Sequence, residues 1–275
     1  MPIGIVVTDL DGTLLDSRHA IGAVDRRTLE ELGERGILRV AATGRSLYSA
    51  LSVLPPDTPL DYLCHSSGAG ILRWSDRHPV RAIDMPAESA HALARELVAR
   101  ELDFMLHFAL PDNHHFYAHR TSRENPDFDR RARRFAAFAN VLALPLPEAR
   151  PMSHAVVIDP PPGPGRYAEV VRALPGFQVL RSTSPLDGAS TWIEVFPLGV
   201  NKAAAAAWLW QTGSAPSLSS LAIGNDYNDL ALLDWADASF VVGNAPAELR
   251  ARYATVSSND DAGFSEAVRR ALGEP

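Results

Sequence analysis

A pair of aspartates directly follows the first apolar run of the sequence. Residues 3–7, IGIVV, lead into Asp9 and Asp11 of TDLDGTLLD. Because residues two apart on an extended strand point to the same side, we expect the two carboxyl groups to approach one point. Like charges that close favour a bound cation, and oxygen ligands favour a hard one such as Mg²⁺. Gly12 permits a tight turn and Thr13 adds a hydroxyl, so the stretch predicts a metal-assisted site rather than an ordinary polar strand end.

A second candidate site lies in AATGRS, residues 41–46. Thr43 ends a predicted strand and Gly44 follows it. A hydroxyl with exposed backbone N–H groups ahead of a helix suits an anion the size of phosphate. An ordinary helix N-cap at the threonine or the following serine explains the same residues, so both interpretations stay open. Arg45 is either a neighbour of that phosphate or an exposed residue at the start of the helix.

A lysine stands at the start of an alanine-rich helix in VNKAAAA, residues 200–206. The helix macrodipole disfavours a cation at this end, so Lys202 predicts an anionic group nearby. The alternative is a solvated surface lysine.

The fourth segment, IGNDYNDLALL at residues 223–233, concentrates amide and carboxylate groups after an apolar strand and a glycine. Their oxygens are hard metal ligands. A turn with a helix N-cap is the simpler explanation of one such pair, because Asn and Asp are common in both. Two pairs within six residues favour a site.

All four segments fall at the carboxyl ends of predicted strands. Short apolar runs alternate with helix-length amphipathic stretches in both terminal parts of the chain, which predicts a parallel sheet covered on both faces. In such a doubly wound sheet, ligands bind at the carboxyl ends of the strands. We therefore expect the four segments to meet at one edge of the sheet.

The middle of the chain has a different pattern. It is richer in Pro, Arg and His, and its predicted strands alternate apolar and polar residues. This alternation favours an antiparallel sheet with one exposed face. We predict an α/β fold in which residues 1–83 and 198–275 form a doubly wound parallel core and residues 84–197 form an inserted α+β domain. The histidines at 107, 114, 115 and 119 match no zinc spacing and predict a solvent-facing or substrate-facing hairpin instead.

Composition bounds the functional classes. The chain has 275 residues, of which 46% are apolar and 21% charged, as in globular proteins of one large or two smaller domains. A net charge of −7 gives no electrostatic argument for nucleic-acid binding. No apolar run approaches the roughly 20 residues of a membrane span, and the N-terminus lacks the basic region of a signal peptide. The single Cys64 suits a reducing compartment. We expect a cytoplasmic monomer or homodimer.

Taken together, the four segments resemble motifs of the haloacid dehalogenase superfamily of phosphohydrolases, in its Cof-type (type IIB) branch. DLDGTLLD is similar to the first motif of that family, ATGR to the second, the NK of VNKAAA to the third and GNDYND to the fourth. Their order and spacing match over the full length, with a cap between the second and third motifs. The resemblance implies a Rossmann-like core and a cap that lies over the active site and sets specificity.

The resemblance also implies a role for each site residue. Asp9 would be the nucleophile that forms an aspartyl-phosphate, and Asp11 the acid and base that serves the leaving alcohol and then water. Thr43 would hydrogen-bond the phosphoryl oxygens, and Lys202 would neutralise charge on the nucleophile and the phosphate. Further phosphate-binding positions would be Gly44, Arg45 and Asn228.

The resemblance places Mg²⁺ on the Asp9 carboxylate, the Asp11 main-chain carbonyl and the fourth motif. The usual fourth motif is GDxxND, whereas this chain has Asn225 in place of the first aspartate. An amide oxygen can ligate Mg²⁺ but adds no negative charge, which Asp226 would supply instead. We expect Asn225 or Asp226 to ligate directly, and Asp229 to lie nearby through water or the lysine.

We therefore predict an Mg²⁺-dependent phosphatase acting on a small phosphorylated metabolite, a sugar phosphate or a related monoester. One alternative is a phosphomutase or phosphotransferase that uses the same aspartate and a second sugar as acceptor. Another is a catalytically silent phosphate-binding protein, for which Asn225 is the only support.

Overall fold

The computed structural model describes residues 2–146, 149–161, 165–213 and 218–274. The chain forms two compact units. The core unit comprises Met1–Arg81 and Asn201–Pro275, and the inserted unit comprises Ala82–Val200. Within the described ranges, no helix combines the length and the apolar character that a membrane span requires.

Short strands and helices make up most of both units. The strands are β1 (Ile3–Thr8), β2 (Leu38–Ala42), β3 (Tyr62–His65), β4 (Gly70–Arg73), β5 (His78–Ala82), β6 (Phe104–Phe108), β7 (Phe116–His119), β8 (Ala139–Val141), β9 (Met152–Asp159), β10 (Phe177–Thr183), β11 (Thr191–Pro197), β12 (Ser219–Gly224), β13 (Ala238–Val241) and β14 (Ala254–Thr255). The helices are α1 (Ala23–Glu34), α2 (Leu47–Leu51), α3 (Ala87–Ala99), α4 (Pro126–Arg134), α5 (Gly165–Ala173), α6 (Lys202–Gly213), α7 (Leu230–Trp235), α8 (Ala247–Arg252) and α9 (Gly263–Leu272).

The sheet of the core unit has the strand order β14-β13-β12-β1-β2-β3-β4-β5. The strands from β14 to β3 pair in parallel, and β4 pairs antiparallel with β3. From β1 the chain continues toward β2, whereas from β12 it continues toward β13 on the other side. The carboxyl ends of β1 and β12 therefore lie side by side at a topological switch point, where ligands bind in sheets of this kind.

Helices cover both faces of this sheet. Val6 of β1 belongs to a hydrophobic cluster with residues of α1 and α9, whereas its neighbours Ile5 and Val7 belong to a cluster with residues of α6 and α7. Every residue of β1 and of β12 is buried. Burial of a Val or Ile side chain contributes about 1.5–3 kcal/mol to the free energy of folding. Burial therefore stabilises β1 and β12, the two strands that lead into the first and fourth motifs.

The sheet of the inserted unit has the order β10-β11-β9-β6-β7-β8 and is antiparallel except for the β7–β8 pair. One face packs against α3 and α5. The predicted exposure of the other face is wrong for the central strands, because α4 and its aromatic neighbours cover Met105, Val156 and Trp192. The predicted fold class, a doubly wound parallel sheet with an inserted α+β domain, is confirmed.

Candidate active site

The loop after β1 is held at the switch point by backbone contacts. The Asp9 N–H donates to the carbonyl of Ile223 in β12, at 2.9 Å, and the Asp9 side chain is buried. Gly12 has a φ of 71°, in the left-handed region that favours glycine. A Cβ atom on Gly12 would lie 2.6 Å from Nδ2 of Asn225, so the Asn225 side chain lies directly against the loop.

Lys202 is the central charge of the site. It begins α6, is fully buried, and donates from Nζ to Oδ1 of Asp9 and to Oδ1 of Asp229, each at 2.6 Å. The sequence predicted an anionic partner for this lysine, and the structure shows two, the carboxylates of Asp9 and Asp229. The side chain of Asn201 accepts a hydrogen bond from Ala204 N at 2.8 Å and so caps the helix, which leaves the lysine ammonium to the two carboxylates.

Burial and neighbouring charges of opposite sign have opposite effects on the pKa values of Lys202 and Asp9, which with Asp229 form the Lys202 cluster. Burial alone would lower the pKa of Lys202, but Asp229 and Asp9 raise it above its ordinary value, so the ammonium stays charged. Burial raises the pKa of Asp9, with Asp229 and Asp11 adding to the effect and Lys202 opposing it. Carboxylates outnumber the ammonium in a buried place, an arrangement that a further cation would stabilise.

Asp229 fixes the turn that carries the fourth motif. Its Oδ2 accepts hydrogen bonds from the backbone N–H groups of Asn225 and Asp226, at 2.9 and 3.1 Å. Asp226 and Asp229 form a reciprocal capping box. A Cβ atom on Gly224 would lie 2.7 Å from the Asp229 carboxyl group, so the close approach of this turn depends on glycine.

Asp11 has a different cation partner. Arg45 donates two hydrogen bonds to the Asp11 carboxylate, from Nε to Oδ2 at 2.7 Å and from Nη2 to Oδ1 at 2.6 Å. The same guanidinium contacts the main-chain carbonyl and the hydroxyl of Ser49. The two aspartates of the first motif are thus only two residues apart in sequence, but Asp9 binds Lys202 whereas Asp11 binds Arg45.

Thr43 is buried at the end of β2, and its hydroxyl accepts a hydrogen bond from Arg45 N at 3.1 Å. Ser46, not Thr43, is the N-cap of α2, since its side chain accepts from Ser49 N. The N-cap explanation of this segment therefore applies to Ser46. Thr43 is not needed as a cap and stays a candidate for binding phosphate.

A left-handed turn after β3 joins two parts of the site. Ser66, Ser67 and Gly68 have φ values of 52°, 54° and 96°. Ser67 N donates to the carbonyl of Thr43 at 2.9 Å, and a Cβ atom on Gly68 would lie 2.5 Å from the carbonyl oxygen of Asn201. The turn thus packs between Thr43, which follows β2, and the residue before Lys202, a role that the sequence did not indicate.

The predicted site residues all lie in the core unit. They occupy the loops after β1, β2 and β12 and the start of α6: Asp9, Asp11, Thr43, Gly44, Arg45, Lys202, Asn225, Asp226, Asn228 and Asp229. Hydrogen bonds join Lys202 to Asp9 and Asp229, and Arg45 to Asp11 and Thr43. Gly44 and Asn228 are half-buried beside these contacts in sequence.

The oxygen atoms that could bind a metal after β1 and β12 are suited to a hard divalent cation. The carboxylate of Asp9, the main-chain carbonyl of Asp11 and the side chains of Asn225 and Asp226 all offer oxygen. In the part of the chain that the structure describes, no three His, Cys, Asp or Glu side chains are grouped as a metal site. A cation here would therefore depend partly on carbonyl and amide oxygens, and the excess of buried carboxylate in the Lys202 cluster fits its presence.

Comparison with known proteins decides the family. The sequence model of the haloacid dehalogenase-like hydrolases matches residues 6–268. The chain belongs to the haloacid dehalogenase-like hydrolase family. The resemblance of the four motifs is thereby confirmed, as is the predicted enzyme class.

Relatives of this hydrolase are phosphatases. The HMP-PP phosphatase of Serratia proteamaculans is 27% identical over 251 residues, which cover 88% of this chain and 84% of that protein. Among solved structures, the phosphatase BT1666 of Bacteroides thetaiotaomicron superposes with a TM-score of 0.77 at 18% identity, over 99% of this chain and 96% of that one. The subclass IIB sugar phosphatase BT4131 gives a TM-score of 0.75 at 18% identity, over 98% of both chains. At these identities the two structures show a shared fold.

The inserted unit of this hydrolase contains a buried row of rings. The His107 and His154 rings stack with centroids 4.4 Å apart, and His154 stacks on Phe196 at 4.6 Å. His107 Nδ1 lies 2.7 Å from the carbonyl oxygen of Asn113, and burial lowers the pKa of His107 to about 3. His107 is therefore a neutral interior residue, so the predicted solvent-facing or substrate-facing hairpin is wrong for this histidine, whereas His114, His115 and His119 are half-buried.

Proposed function

We propose that this hydrolase is an Mg²⁺-dependent phosphatase that hydrolyses small phosphorylated metabolites through an aspartyl-phosphate. The observation that carries the proposal is the fully buried Lys202, held between Asp9 and Asp229 at the end of β1. A carboxylate nucleophile and a phosphoryl group repel each other, so a fixed positive charge at the point of attack lowers the barrier.

Asp9 is the nucleophile in this proposal. Lys202 contacts Oδ1, and Oδ2 attacks phosphorus in line with the leaving oxygen. The alkoxide leaves as the Asp9–phosphorus bond forms, and water then attacks phosphorus and returns the carboxylate. Since the lysine and the strand-end backbone hold Asp9 before substrate arrives, much of the orientation is established in advance.

Asp11 transfers the protons. Once Arg45 has released it and it has taken a proton from solvent, Asp11 gives that proton to the departing oxygen, and the resulting carboxylate then takes one from the attacking water. Arg45 holds both of its oxygens, and a bound phosphate would compete for that guanidinium, because an arginine fork binds phosphate as readily as carboxylate. Substrate binding would thus release Asp11 for proton transfer. Thr43 and Gly44 at the end of β2, with Asn228 of the fourth motif, complete the proposed phosphate cradle.

Mg²⁺ would be held by the Asp9 carboxylate, the Asp11 carbonyl and a side-chain oxygen of Asn225 or Asp226. When bound, it supplies positive charge that screens the nucleophile from the phosphate. Asp229 has a different role in the proposal: its two oxygens already accept from Lys202 and from the turn, so it positions the lysine and the fourth motif.

The names of the relatives narrow the substrate class. The curated relative acts on HMP-PP and a solved neighbour acts on sugar phosphates, by their names. We extend to this chain only what these have in common, a small phosphorylated metabolite. A cytoplasmic location is part of the proposal and is supported by the single cysteine, Cys64, which is buried and free.

The first test is phosphate release from p-nitrophenyl phosphate and from a panel of phosphorylated sugars and cofactors. We expect release with Mg²⁺ and a fall to background when EDTA removes the metal, with recovery on adding Mg²⁺ back. Activity that is indifferent to EDTA would exclude the metal dependence, and no release from any compound would exclude the phosphatase.

A second prediction concerns Asn225, whose side chain lies against Gly12. Asn225→Asp adds a negative oxygen donor beside the proposed cation position, so we expect Mg²⁺ to bind about tenfold more tightly. The measurement is the Mg²⁺ concentration that raises the melting temperature of the substrate-free protein by half of its maximal shift. Asn201→Asp, at a helix cap outside the proposed ligand set, is the matched control. An unchanged Mg²⁺ midpoint in Asn225→Asp would exclude Asn225 as a ligand and leave Asp226 as the fourth-motif ligand.

A further inference from the structure

The loop that carries the proposed nucleophile is tied to the far end of the chain. We propose that Asn244, Asn259 and Asp260, together named the C-terminal clip, are positioning residues for the reaction. The inference rests on the proposed function, because it assigns these residues to the same catalytic loop. None of the four sequence motifs includes them.

Asn244 makes the contact nearest to the reacting groups. It follows β13, and its Nδ2 donates to the carbonyl of Gly12 at 2.8 Å, one residue after Asp11. Its Oδ1 accepts from Asn259 N at 3.0 Å. One amide side chain therefore connects the catalytic loop to the segment after β14 and uses both of its functional atoms to do so.

The other two clip residues bind further along the same loop. Asn259 Nδ2 donates to the carbonyl of Leu15 at 2.9 Å, and Oδ1 of Asp260 accepts from Ser17 N at 2.7 Å. The loop thus has three points of attachment, at Gly12, Leu15 and Ser17, to residues more than two hundred positions away in sequence. Such attachments fix the loop against the body of the core unit.

The position of these contacts indicates a catalytic effect rather than a contribution to stability alone. Asn244 and Asp260 are exposed, so their loss removes little buried surface. Nδ2 of Asn225 and Nδ2 of Asn244 both lie close to Gly12, at 2.6 and 3.4 Å from the position that a Cβ atom on that glycine would take. Loss of the Asn244 hydrogen bond would free the Gly12 carbonyl and let the loop next to Asp11 move, and displacements of about 1 Å at such a point can reduce rates roughly 100-fold.

The test compares Asn244→Ala, Asn259→Ala and the double variant with wild type. We expect kcat with p-nitrophenyl phosphate to fall about tenfold in each single variant, while KM stays within about twofold because Thr43 and Lys202 are untouched. The double variant is expected to lose no more than the stronger single variant, since the two side chains act through one loop. Asn244→Asp keeps the acceptor for Asn259 N but cannot donate to Gly12, so it is expected to behave like Asn244→Ala.

Ser258→Ala is the matched control, because Ser258 lies in the same segment and its hydroxyl contacts Asp261 instead of the loop. It is expected to retain the wild-type kcat. If Asn244→Ala also retained the wild-type kcat in an active enzyme, the clip would have no positioning role. A change in KM alone would equally overturn it.

Hydrogen exchange of the substrate-free protein tests the clip without reference to activity. The N–H groups of Thr13 and Leu15 donate to the carbonyl of Leu10. We expect their exchange to accelerate at least about threefold in Asn244→Ala and Asn259→Ala and not in Ser258→Ala. If the wild-type protein released no phosphate, the proposed function would be wrong. The exchange rates of Thr13 and Leu15 would still show whether the clip holds the loop. Unchanged exchange in both variants would overturn the clip itself.

Discussion

Replacing Asp9 with asparagine is expected to reduce phosphate release by roughly 10³-fold or more while the protein stays folded. An amide nitrogen or oxygen is a poor nucleophile toward phosphorus, and Asn has almost the same shape as Asp. The buried Lys202 keeps Asp229 as a charged partner in the variant, so the cluster retains one ion pair. The measurement is the initial rate of phosphate release with saturating Mg²⁺, together with the melting temperature.

The matched control is Asp76→Asn, which removes an exposed carboxylate that pairs with Arg73 at the surface. It is expected to keep the wild-type rate. Acid quenching during turnover should trap phosphate covalently on wild type and not on Asp9→Asn. If Asp9→Asn hydrolysed p-nitrophenyl phosphate at a rate near that of wild type, Asp9 would not be the nucleophile and the proposed mechanism would be lost.

The meeting of the four motifs could be predicted because it depends on local patterns. Continuous apolar runs predicted β1, β2 and β12, and parallel strands necessarily bring their carboxyl ends to one edge. The cost of a cation at a helix start predicted an anionic partner for Lys202, and the structure supplies two. Each of these inferences combines a pattern within one short segment with a general rule of parallel sheets or of helix ends.

Features that depend on distant packing could not be predicted in this way. The exposure expected for one face of the inserted sheet was wrong because α4 lies on it, and strand periodicity carries no information about that helix. The edge strand β10, at Phe177–Thr183, was not predicted, since its half-buried residues alternate weakly. The histidine pattern likewise gave no sign that His107 stacks on His154, a pairing set by the register of β6 and β9.

Contacts made by single loop residues were also missed. Asn244 and Asn259 lie in loops where asparagine is common for turn geometry alone, so nothing in their surroundings indicated a contact with the catalytic loop. The left-handed conformation of the serines after β3 could not be predicted either, because serine seldom adopts it. Tertiary hydrogen bonds of this kind become visible only when the sheet has placed the loops side by side.

Lys202→Met is expected to remove activity and to cost about 3–5 kcal/mol of unfolding free energy at about pH 7. Methionine fills much of the lysine volume but leaves Asp9 and Asp229 buried without the ammonium that both contact. Breaking a buried ion pair by removing one partner is costly because the remaining charge has lost its solvent and its counter-ion. Urea denaturation at several pH values measures the loss.

The pH dependence of that loss identifies its cause. Burial, with the neighbouring carboxylates of Asp229 and Asp11 adding to it, raises the pKa of Asp9 in the folded state above its unfolded value, and removing the lysine takes away the charge that opposes this rise. The variant therefore gains relative stability as the pH falls toward about 4, where the folded state binds protons more readily, and loses it as the pH rises. The double variant Lys202→Met with Asp229→Asn removes one of the two unpaired charges and is expected to recover part of the stability at about pH 7. A deficit that stayed constant with pH and was unaffected by Asp229→Asn would mean that the lysine contributes packing alone, and the electrostatic basis of the proposed site would be lost.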